Sequence, residues 1–450
     1  MLRAVASWLA RRSPARAEPP HFKIARIEPA SPTPPIESVE VDWAQSDADP
    51  RLAPPVIRVT PRTTTEGVIA GVVVMDGVVP AVHLTPRADR DCDRALECPY
   101  AGYLNPHALP ERFTLDVVAL LKDGQRRRLA RLHGSCRGIK DRYRFELEPG
   151  GVVSLGRSGS TIMLAYLACH PDIVVWEPFE LEAWYIPYHA RLFETLTNPR
   201  QWMAPVGAKD MLALEQPGWL GELGAPPLAH WAQYPAAAEW FAGGYVERMY
   251  RAQMDALQQW YSTVARRGGT LRARMMFEKM TPPTHGVSRR VIPGLHAIFL
   301  VRDPRDVYAS IRAFDHKRGY RAFGRERFES EEAYIRHVLA GSMEMLRQEW
   351  ERHKDRALLM RYEDLITDPR TELARVFRHL GLDAKPRTVK KVIEDTHAMN
   401  PAAQARHRTA STPRDSIQRF RSELEPEVIA LCDEVFARSL AAFGYSPAVG

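Results

Sequence analysis

The amino-acid sequence predicts an α/β protein, with a parallel sheet covered by helices on both faces and preceded by a small all-β sandwich. Two patterns carry this prediction. Short strand-like runs separated by turn residues fill residues 51–148, whereas apolar strands alternate with helical segments after residue 150. A chain of 450 residues is also long enough for two or three domains.

The first third of the chain divides into two predicted segments. Residues 1–50 are rich in proline, alanine and charge, which predicts a flexible leader. Residues 51–148 predict the β-sandwich, with hairpin signals at Asp76-Gly77 and Asp123-Gly124. We expect it to be a spacer or docking domain, with ligand binding as the alternative. Its predicted strands are Val56–Thr60, Gly67–Val74, Val79–Leu84, Phe113–Leu121, Arg128–His133 and Tyr143–Leu147.

Residues 149–450 predict the α/β domain, because its strands and helices alternate as in a parallel sheet. Two irregular segments interrupt it: an insertion rich in proline, glycine and tryptophan at 198–243, typical of a lid, and a basic loop at 398–421. The predicted strands are 152–155, 173–176, 273–277, 296–301 and 356–361. The predicted helices are 161–169, 181–196, 244–266, 304–314, 330–353, 369–380, 386–396 and 424–442.

A glycine-serine loop between the first strand and helix of this domain predicts an anion cradle. Backbone N–H groups of such a loop point at one spot, and the helix dipole favours negative charge there. Arg157 adds a positive charge, and the missing lysine after Gly159 excludes a Walker A motif. Because an anion cradle follows a strand of the parallel sheet even without that lysine, the sheet is expected to be P-loop-like. The cradle residues are Gly156, Arg157, Ser158, Gly159, Ser160 and Thr161.

A second anion clamp is predicted after the strand 296–301. Arg302 stands at the carboxyl end of this strand, where ligands bind in open α/β sheets, and Ser310 follows about two helical turns later. The alternative is that Arg302 merely pairs with Asp303 or Asp306. Asp303 and Pro304 suit the N-cap and first position of the next helix.

Together these segments resemble the sulfotransferases that use 3′-phosphoadenylyl sulfate (PAPS), over roughly residues 148–445. The resemblance implies that the Gly156–Thr161 loop binds the 5′-phosphosulfate and that Arg302 and Ser310 bind the 3′-phosphate. Arg361-Tyr-Glu-Asp-Leu365 is similar to a later structural signature of the family. Met276–Pro282 is similar to the family strand that carries an active-site lysine, here Lys279.

The resemblance also implies the chemistry, which is transfer of a sulfuryl group to an acceptor hydroxyl without a metal. Arg157 and Lys279 are the expected catalytic cations, and Arg414 and Arg419 lie in a loop expected to close over the nucleotide. Thr281 stands where cytosolic members have their catalytic histidine, and Arg157 where they have lysine. Glu177 is therefore the expected general base, with His285, placed in a loop, as the alternative.

Composition limits the partners. The net charge of +7 suits a multiply anionic ligand such as PAPS, and the basic residues are not interleaved with a stacking aromatic ladder, which disfavours nucleic acid. No apolar run approaches a membrane span, and five sparse cysteines favour a reducing, cytoplasmic location. A carbohydrate is the first expected acceptor. The alternative functions are a P-loop-like nucleotide kinase and a sulfotransferase-like binding protein without catalysis.

Overall fold

The computed structural model describes residues 22–44, 55–86, 95–136, 138–139, 142–178, 180–198, 244–399 and 408–448. These residues fall into two compact units. The first comprises Met1–Arg144 and His189–Asp255, and the second comprises Phe145–Tyr188 and Ala256–Gly450. The lid predicted at 198–243 lies outside the described residues except for its first residue.

The first unit contains an eight-stranded antiparallel sheet, which confirms an all-β region before the α/β region. Its strand order is β1-β8-β7-β4-β5-β6-β3-β2. Alternating apolar residues in strands such as β7 point into one core, as expected for a sheet with one buried face. The strands are β1 (Phe22–Pro29), β2 (Ile36–Ala44), β3 (Val56–Thr63), β4 (Ile69–Asp76), β5 (Val79–Pro86), β6 (Tyr100–Tyr103), β7 (Arg112–Leu121) and β8 (Arg126–Cys136).

One continuous sheet replaces the two separate sheets that a sandwich would have. Residues of β5 before Thr85 pair with β4, whereas Thr85 and Pro86 pair with β6, so this strand links both halves. The sheet curls until its two edge strands meet, because Phe22 of β1 and Trp43 of β2 make an edge contact with ring centroids 5.6 Å apart. The flexible leader predicted for residues 1–50 is therefore wrong for 22–44, where apolar residues pack into the core.

A segment after the predicted boundary at residue 148 also belongs to the first unit. The amide of Asn105 donates to Thr197 Oγ1 at 2.9 Å, and the backbone N–H of Tyr143 donates to the hydroxyl of Tyr250 at 3.2 Å. These contacts bring parts of two helices to the β strands, so the compact unit is not contiguous in sequence. Residues 143–147, predicted as a strand, form irregular chain instead.

The second unit is built on a five-stranded sheet in which every pair is parallel, as predicted. Its order is β10-β11-β9-β12-β13. Because the strands run parallel, their carboxyl ends meet at one edge of the sheet. Of these five strands, β9 comes first in the sequence and lies at the centre of the sheet. The strands are β9 (Glu148–Val153), β10 (Ile173–Val175), β11 (Met275–Met280), β12 (His296–Val301) and β13 (Leu358–Arg361).

The predicted helices are present, one of them in a divided form, and three α-helices of the described residues were not predicted: Pro282–Val291, Tyr362–Thr367 and Phe420–Glu423. A helix at Pro282–Val291 was missed, although Thr281 and Thr284 form a capping box before it. The helix predicted at 330–353 consists of Glu331–Tyr334, a π-helical turn at Ile335–Leu339 and Ala340–His353. The other α-helices are Ser160–Ala168, Tyr185–Thr197, Val246–Arg267, Pro304–Arg318, Tyr362–Thr367, Pro369–His379, Pro386–Ala398, Phe420–Glu423 and Pro426–Phe443.

Cys98 is disulfide-bonded, so the five cysteines are not all free thiols. Among the helices of the described ranges, none has both the length and the apolar content to cross a membrane.

Candidate active site

The loop after β9 has the backbone geometry of a cradle. Gly159 is the N-cap of the helix Ser160–Ala168 and has a left-handed φ of +92°, and Arg157 also has a positive φ of 65°. A Cβ atom at Gly159 would lie 2.3 Å from Cδ2 of Tyr362, so only glycine fits beneath this ring. Ser160 and Thr161, the first residues of this helix, line a cleft, and the N-terminus of a helix favours an anion.

Arg302 follows β12, which neighbours β9, and its side chain reaches the cradle. The guanidinium donates from Nη1 to the carbonyl oxygen of Arg157 at 3.0 Å, and from Nη2 to the carbonyl oxygen of Ser416. It also lies over the ring of Tyr362, 4.7 Å from the centroid. Its Nε is buried and has no hydrogen-bond partner among the described residues. Pairing with Asp303 is wrong, because Asp303 binds Arg305 instead.

Ser310 joins the same group of side chains. Arg157 Nε donates to Ser310 Oγ at 3.2 Å, and the Arg157 guanidinium stacks on Phe314 at 4.2 Å. Burial, reinforced by repulsion from Arg302, Arg419 and Arg318, lowers the pKa of Arg157 to about 10. Several positive charges therefore lie close together around Arg157 and are partly removed from water, and such charges attract an anion more strongly than charges in bulk water do.

The segment after residue 407 forms one wall of the cleft. Asp306 accepts the backbone N–H groups of Gln418 at 2.7 Å and Phe420 at 3.0 Å, and burial raises the pKa of Asp306 to about 6. Arg419 is buried and donates to Thr409 Oγ1 at 2.8 Å, so it braces the wall. Arg414 is exposed and is absent from the cleft lining of the described residues. Arg406 and His407 of the basic loop lie outside the described residues.

Lys279 extends into the cleft from β11. Its ammonium group forms an ion pair with the Glu182 carboxylate. The neighbouring Glu278 points away, and its buried carboxylate accepts the N–H groups of Tyr185 at 3.0 Å and Ile186 at 2.9 Å. Burial raises the pKa of Glu278 to about 7. Glu278 and Lys279 thus point to opposite faces of the sheet, as successive residues of a strand do.

Glu177 follows β10 and lines the cleft with an exposed side chain. It makes no hydrogen bond or ion pair to the parts of the chain that the structure describes. An exposed carboxylate at the cleft, without a structural partner, has the access that a general base needs.

His285 is not in a loop and is not in the cleft. It is buried in the helix Pro282–Val291, and its Nδ1 lies 2.7 Å from Glu349 Oε1. Burial alone would raise the pKa of Glu349. Hydrogen bonds with His285 and His353 and the charge of Arg289 have the larger effect, so the pKa of Glu349 is lowered. Ligand atoms of His285, Glu349 and His353 lie within 4.8 Å of one another, yet Arg289 Nε already stands 3.4 Å from the carboxylate. The cluster is thus a buried network in which two histidines and one arginine surround the Glu349 carboxylate.

The cleft brings together most of the predicted residues. Sequence analysis missed Tyr362 and Thr409, which line the cleft, and Glu182, which pairs with Lys279. Tyr362 lies within the quoted Arg361–Leu365 signature, which was the available signal, whereas Glu182 and Thr409 had none. Ser158 and Arg419 are buried and absent from the lining, and Gly156 is absent from it as well. The polar residues that line the cleft are Arg157, Ser160, Thr161, Glu177, Lys279, Arg302, Ser310, Tyr362, Arg408, Thr409, Thr412 and Ser416.

The family of the chain follows from a comparison with known proteins. A model of the sulfotransferase family matches residues 151–386, which is more than half of the chain. The chain therefore belongs to the sulfotransferase family, and the resemblance drawn from its motifs is confirmed at this level.

Individual relatives match less of the chain. Carbohydrate sulfotransferase 3 from Tetronarce californica is 30% identical over 165 residues, 34% of this chain and 36% of that protein. The chain thus matches only about a third of the length of this curated relative.

Two solved structures are similar at low identity. Mouse sulfotransferase SULT7A1 complexed with PAP is 18% identical, covers 37% of this chain and 66% of its own, and has a TM-score of 0.29. Sulfotransferase STF9 from Mycobacterium avium is 15% identical, covers 67% and 78%, and has a TM-score of 0.31.

Proposed function

We propose that this protein is a PAPS-dependent sulfotransferase that transfers a sulfuryl group to an acceptor hydroxyl. The observation that carries the proposal is that Arg157, Lys279, Arg302 and Ser310, from four separate elements, line one cleft. Membership of the sulfotransferase family supports the same chemistry. The buried Arg302 Nε without a partner and the glycine-only cradle at Gly159 both fit an anionic nucleotide.

Different residues would bind the 5′-phosphosulfate and the 3′-phosphate of the nucleotide. The loop Gly156–Thr161 would hold the 5′-phosphosulfate on backbone N–H groups, with Arg157 and Lys279 beside it. Arg302 and Ser310 would hold the 3′-phosphate. PAPS supplies an activated sulfuryl group on a phosphate leaving group. The two cations would stabilise charge that develops on the oxygen of the breaking sulfur–oxygen bond, which is worth roughly 10²–10³ in rate for a single preorganised donor.

Glu177 would accept the proton of the acceptor hydroxyl as its oxygen bonds to sulfur. Its exposed position at the cleft supports this role. The acceptor proposed is a carbohydrate hydroxyl, which the similarity to carbohydrate sulfotransferase 3 supports. Trp176, which precedes Glu177 directly, belongs to a group of three aromatic rings in the same unit. Trp260 stacks on Tyr185 with ring centroids 5.0 Å apart and is tilted against Trp176 at 5.3 Å. Aromatic rings of this kind suit the apolar face of a sugar.

Calorimetric titration with 3′,5′-ADP, 5′-AMP and ATP tests the nucleotide site. Ser310→Ala is the cleaner variant, because Arg302 also supports the chain at Arg157 and Ser416. Losing a charge-assisted hydrogen bond should weaken 3′,5′-ADP binding by roughly 10- to 100-fold and leave 5′-AMP nearly unchanged. Equal losses for both nucleotides, or tight binding of ATP alone, would overturn the assignment. Transfer of label from PAPS to glycan, lipid and protein fractions then identifies the acceptor.

A further inference from the structure

The ion pair between Lys279 and Glu182 gives the cleft lysine a carboxylate partner from within the chain. Both side chains are largely buried, with 17% and 25% of their surfaces exposed. Glu182 is held in turn, because its second oxygen accepts the indole N–H of Trp184 at 3.2 Å. The carboxylate is thus anchored at one oxygen and directed at Lys279 with the other.

The backbone fixes Glu182 in this position. Leu181 and Trp184, on either side of it, have left-handed φ values of 66° and 58°, which are uncommon for residues other than glycine. The next turn is tied to the same strand as Lys279, since Glu278 accepts the N–H groups of Tyr185 and Ile186. Leu181 itself lines the cleft. The segment 181–186 therefore brings one carboxylate to the end of β11 and keeps it there.

Lys279 and Arg302 differ in this respect. Arg302, which is 4% exposed, forms no ion pair within the described ranges, and its hydrogen bonds go to carbonyl oxygens. No direct ion pair in those ranges compensates its charge, although Arg302 acts at longer range on the carboxyl groups of Asp306 and Glu363. The charge of Lys279 is already neutralised, so an anion that approaches Lys279 must compete with Glu182.

We infer that Glu182 is a positioning residue that competes with the phosphosulfate group for Lys279 and yields Lys279 when the nucleotide binds. The inference rests on the proposed function. The competition lowers the affinity for the nucleotide, and it keeps Lys279 from binding the product as strongly as it binds the transition state. A residue with a purely structural role would have the opposite effect on removal, because loss of its contacts would weaken binding.

The test is a double-mutant cycle on Glu182 and Lys279, read by calorimetric titration with PAPS in the absence of acceptor and with 3′,5′-ADP. Glu182→Gln should bind both nucleotides more tightly, by roughly three- to tenfold, because the competing charge is gone. KM for PAPS and kcat should fall together as product release slows. In a Lys279→Met background, Glu182→Gln should tighten binding clearly less than in wild type, because no ammonium is left to compete for and only the repulsion between the carboxylate and the anion is removed.

Two further variants keep the outcome clear. Glu182→Asp retains the charge but withdraws it by one methylene, so this variant should bind the nucleotides more tightly than wild type and less tightly than Glu182→Gln. If Glu182→Gln fails to fold, the comparison of Glu182→Asp with wild type still tests the competition. Glu332→Gln, which removes a surface carboxylate 2.8 Å from Arg336, should leave nucleotide affinity unchanged. If wild type binds neither nucleotide, the proposed function is wrong. If wild type binds and both Glu182 variants bind equally or more weakly, the competition is wrong and the proposed function stands.

Discussion

The ring of Tyr362 lies directly against Gly159, so that a Cβ at position 159 would come within 2.3 Å of Cδ2 and 2.7 Å of Cε2. Tyr362 also shares a hydrogen bond with Ser416 at 2.9 Å and lies beneath Arg302. One aromatic side chain thus supports the cradle, the strand-end arginine and the late cleft wall at once. A small change at Gly159 should therefore disturb all three.

Gly159→Ala is expected to weaken 3′,5′-ADP binding more than tenfold and to destabilise the fold by roughly 1–2 kcal/mol or more, because the methyl group meets both a left-handed backbone and the Tyr362 ring. Titration and denaturant unfolding measure the two effects. Gly269→Ala is the matched control, since Gly269 has a φ of +74° but nothing within 4 Å of its Cβ position. Equal binding losses in both variants would refute the steric explanation.

Glu177→Gln should lower turnover by roughly 10²–10⁴ with nearly unchanged affinity for 3′,5′-ADP, because the amide keeps the shape of the side chain but cannot accept the acceptor proton. Single-turnover kinetics with PAPS and an acceptor found by the transfer screen measure the loss. Glu180→Gln, three residues away and not in the cleft lining, should retain wild-type turnover. Full activity of Glu177→Gln would assign the base elsewhere.

Glu278 should make stability depend on pH. Its pKa in the folded protein is raised by burial to about 7 from an ordinary value of 4.5. The folded state therefore holds a proton that the unfolded state has lost, and the contribution, present below pH 4.5, disappears as pH rises through 7. The free energy of unfolding should fall by up to about 3 kcal/mol across this window. Denaturant unfolding of Glu278→Gln should show a flatter profile; an identical slope would contradict the assignment.

Glu349→Gln should destabilise the protein by about 3–5 kcal/mol, because His285 and Arg289 would lose the buried carboxylate they share. Glu344→Gln, on the same helix and paired with Arg347 at the partly exposed surface, should cost less than about 1 kcal/mol. Denaturant unfolding compares the two. A loss for Glu349→Gln no larger than for Glu344→Gln would mean that the buried network contributes little.

Turnover should survive EDTA, because the cations beside the phosphosulfate are expected to be the side chains Arg157 and Lys279, which do the work that Mg²⁺ does in kinases. The melting temperature should be equally insensitive, since Arg289 supplies the positive charge at the His285 cluster. A strict requirement for Mg²⁺ would favour the kinase alternative. A melting temperature lowered by EDTA would instead indicate a structural metal.

The sequence predicted best what local signals determine. The strand at 296–301 was predicted to the residue, and the loop before Ser160 was recognised because glycine spacing and an apolar strand are visible within a few positions. His285 was misplaced because the capping residues Thr281 and Thr284 were not used to start a helix. The contact of His285 with Glu349 joins distant parts of the chain, and so does the contact of Tyr362 with Gly159. Such pairs follow from how helices and strands pack, which no local pattern specifies.

The same packing crowds the positive charges of Arg157, Arg302 and Arg419 around one wall of the cleft, which lowers the stability of the folded protein. Like charges removed from water raise the free energy of the folded chain, and any polyvalent anion that binds only the folded chain lowers it again. Thermal denaturation should therefore respond to the choice of buffer. Sulfate or phosphate would protect the protein and occupy the place of the nucleotide, so that affinities measured in those salts would be underestimates, whereas chloride would show the fold at its least stable.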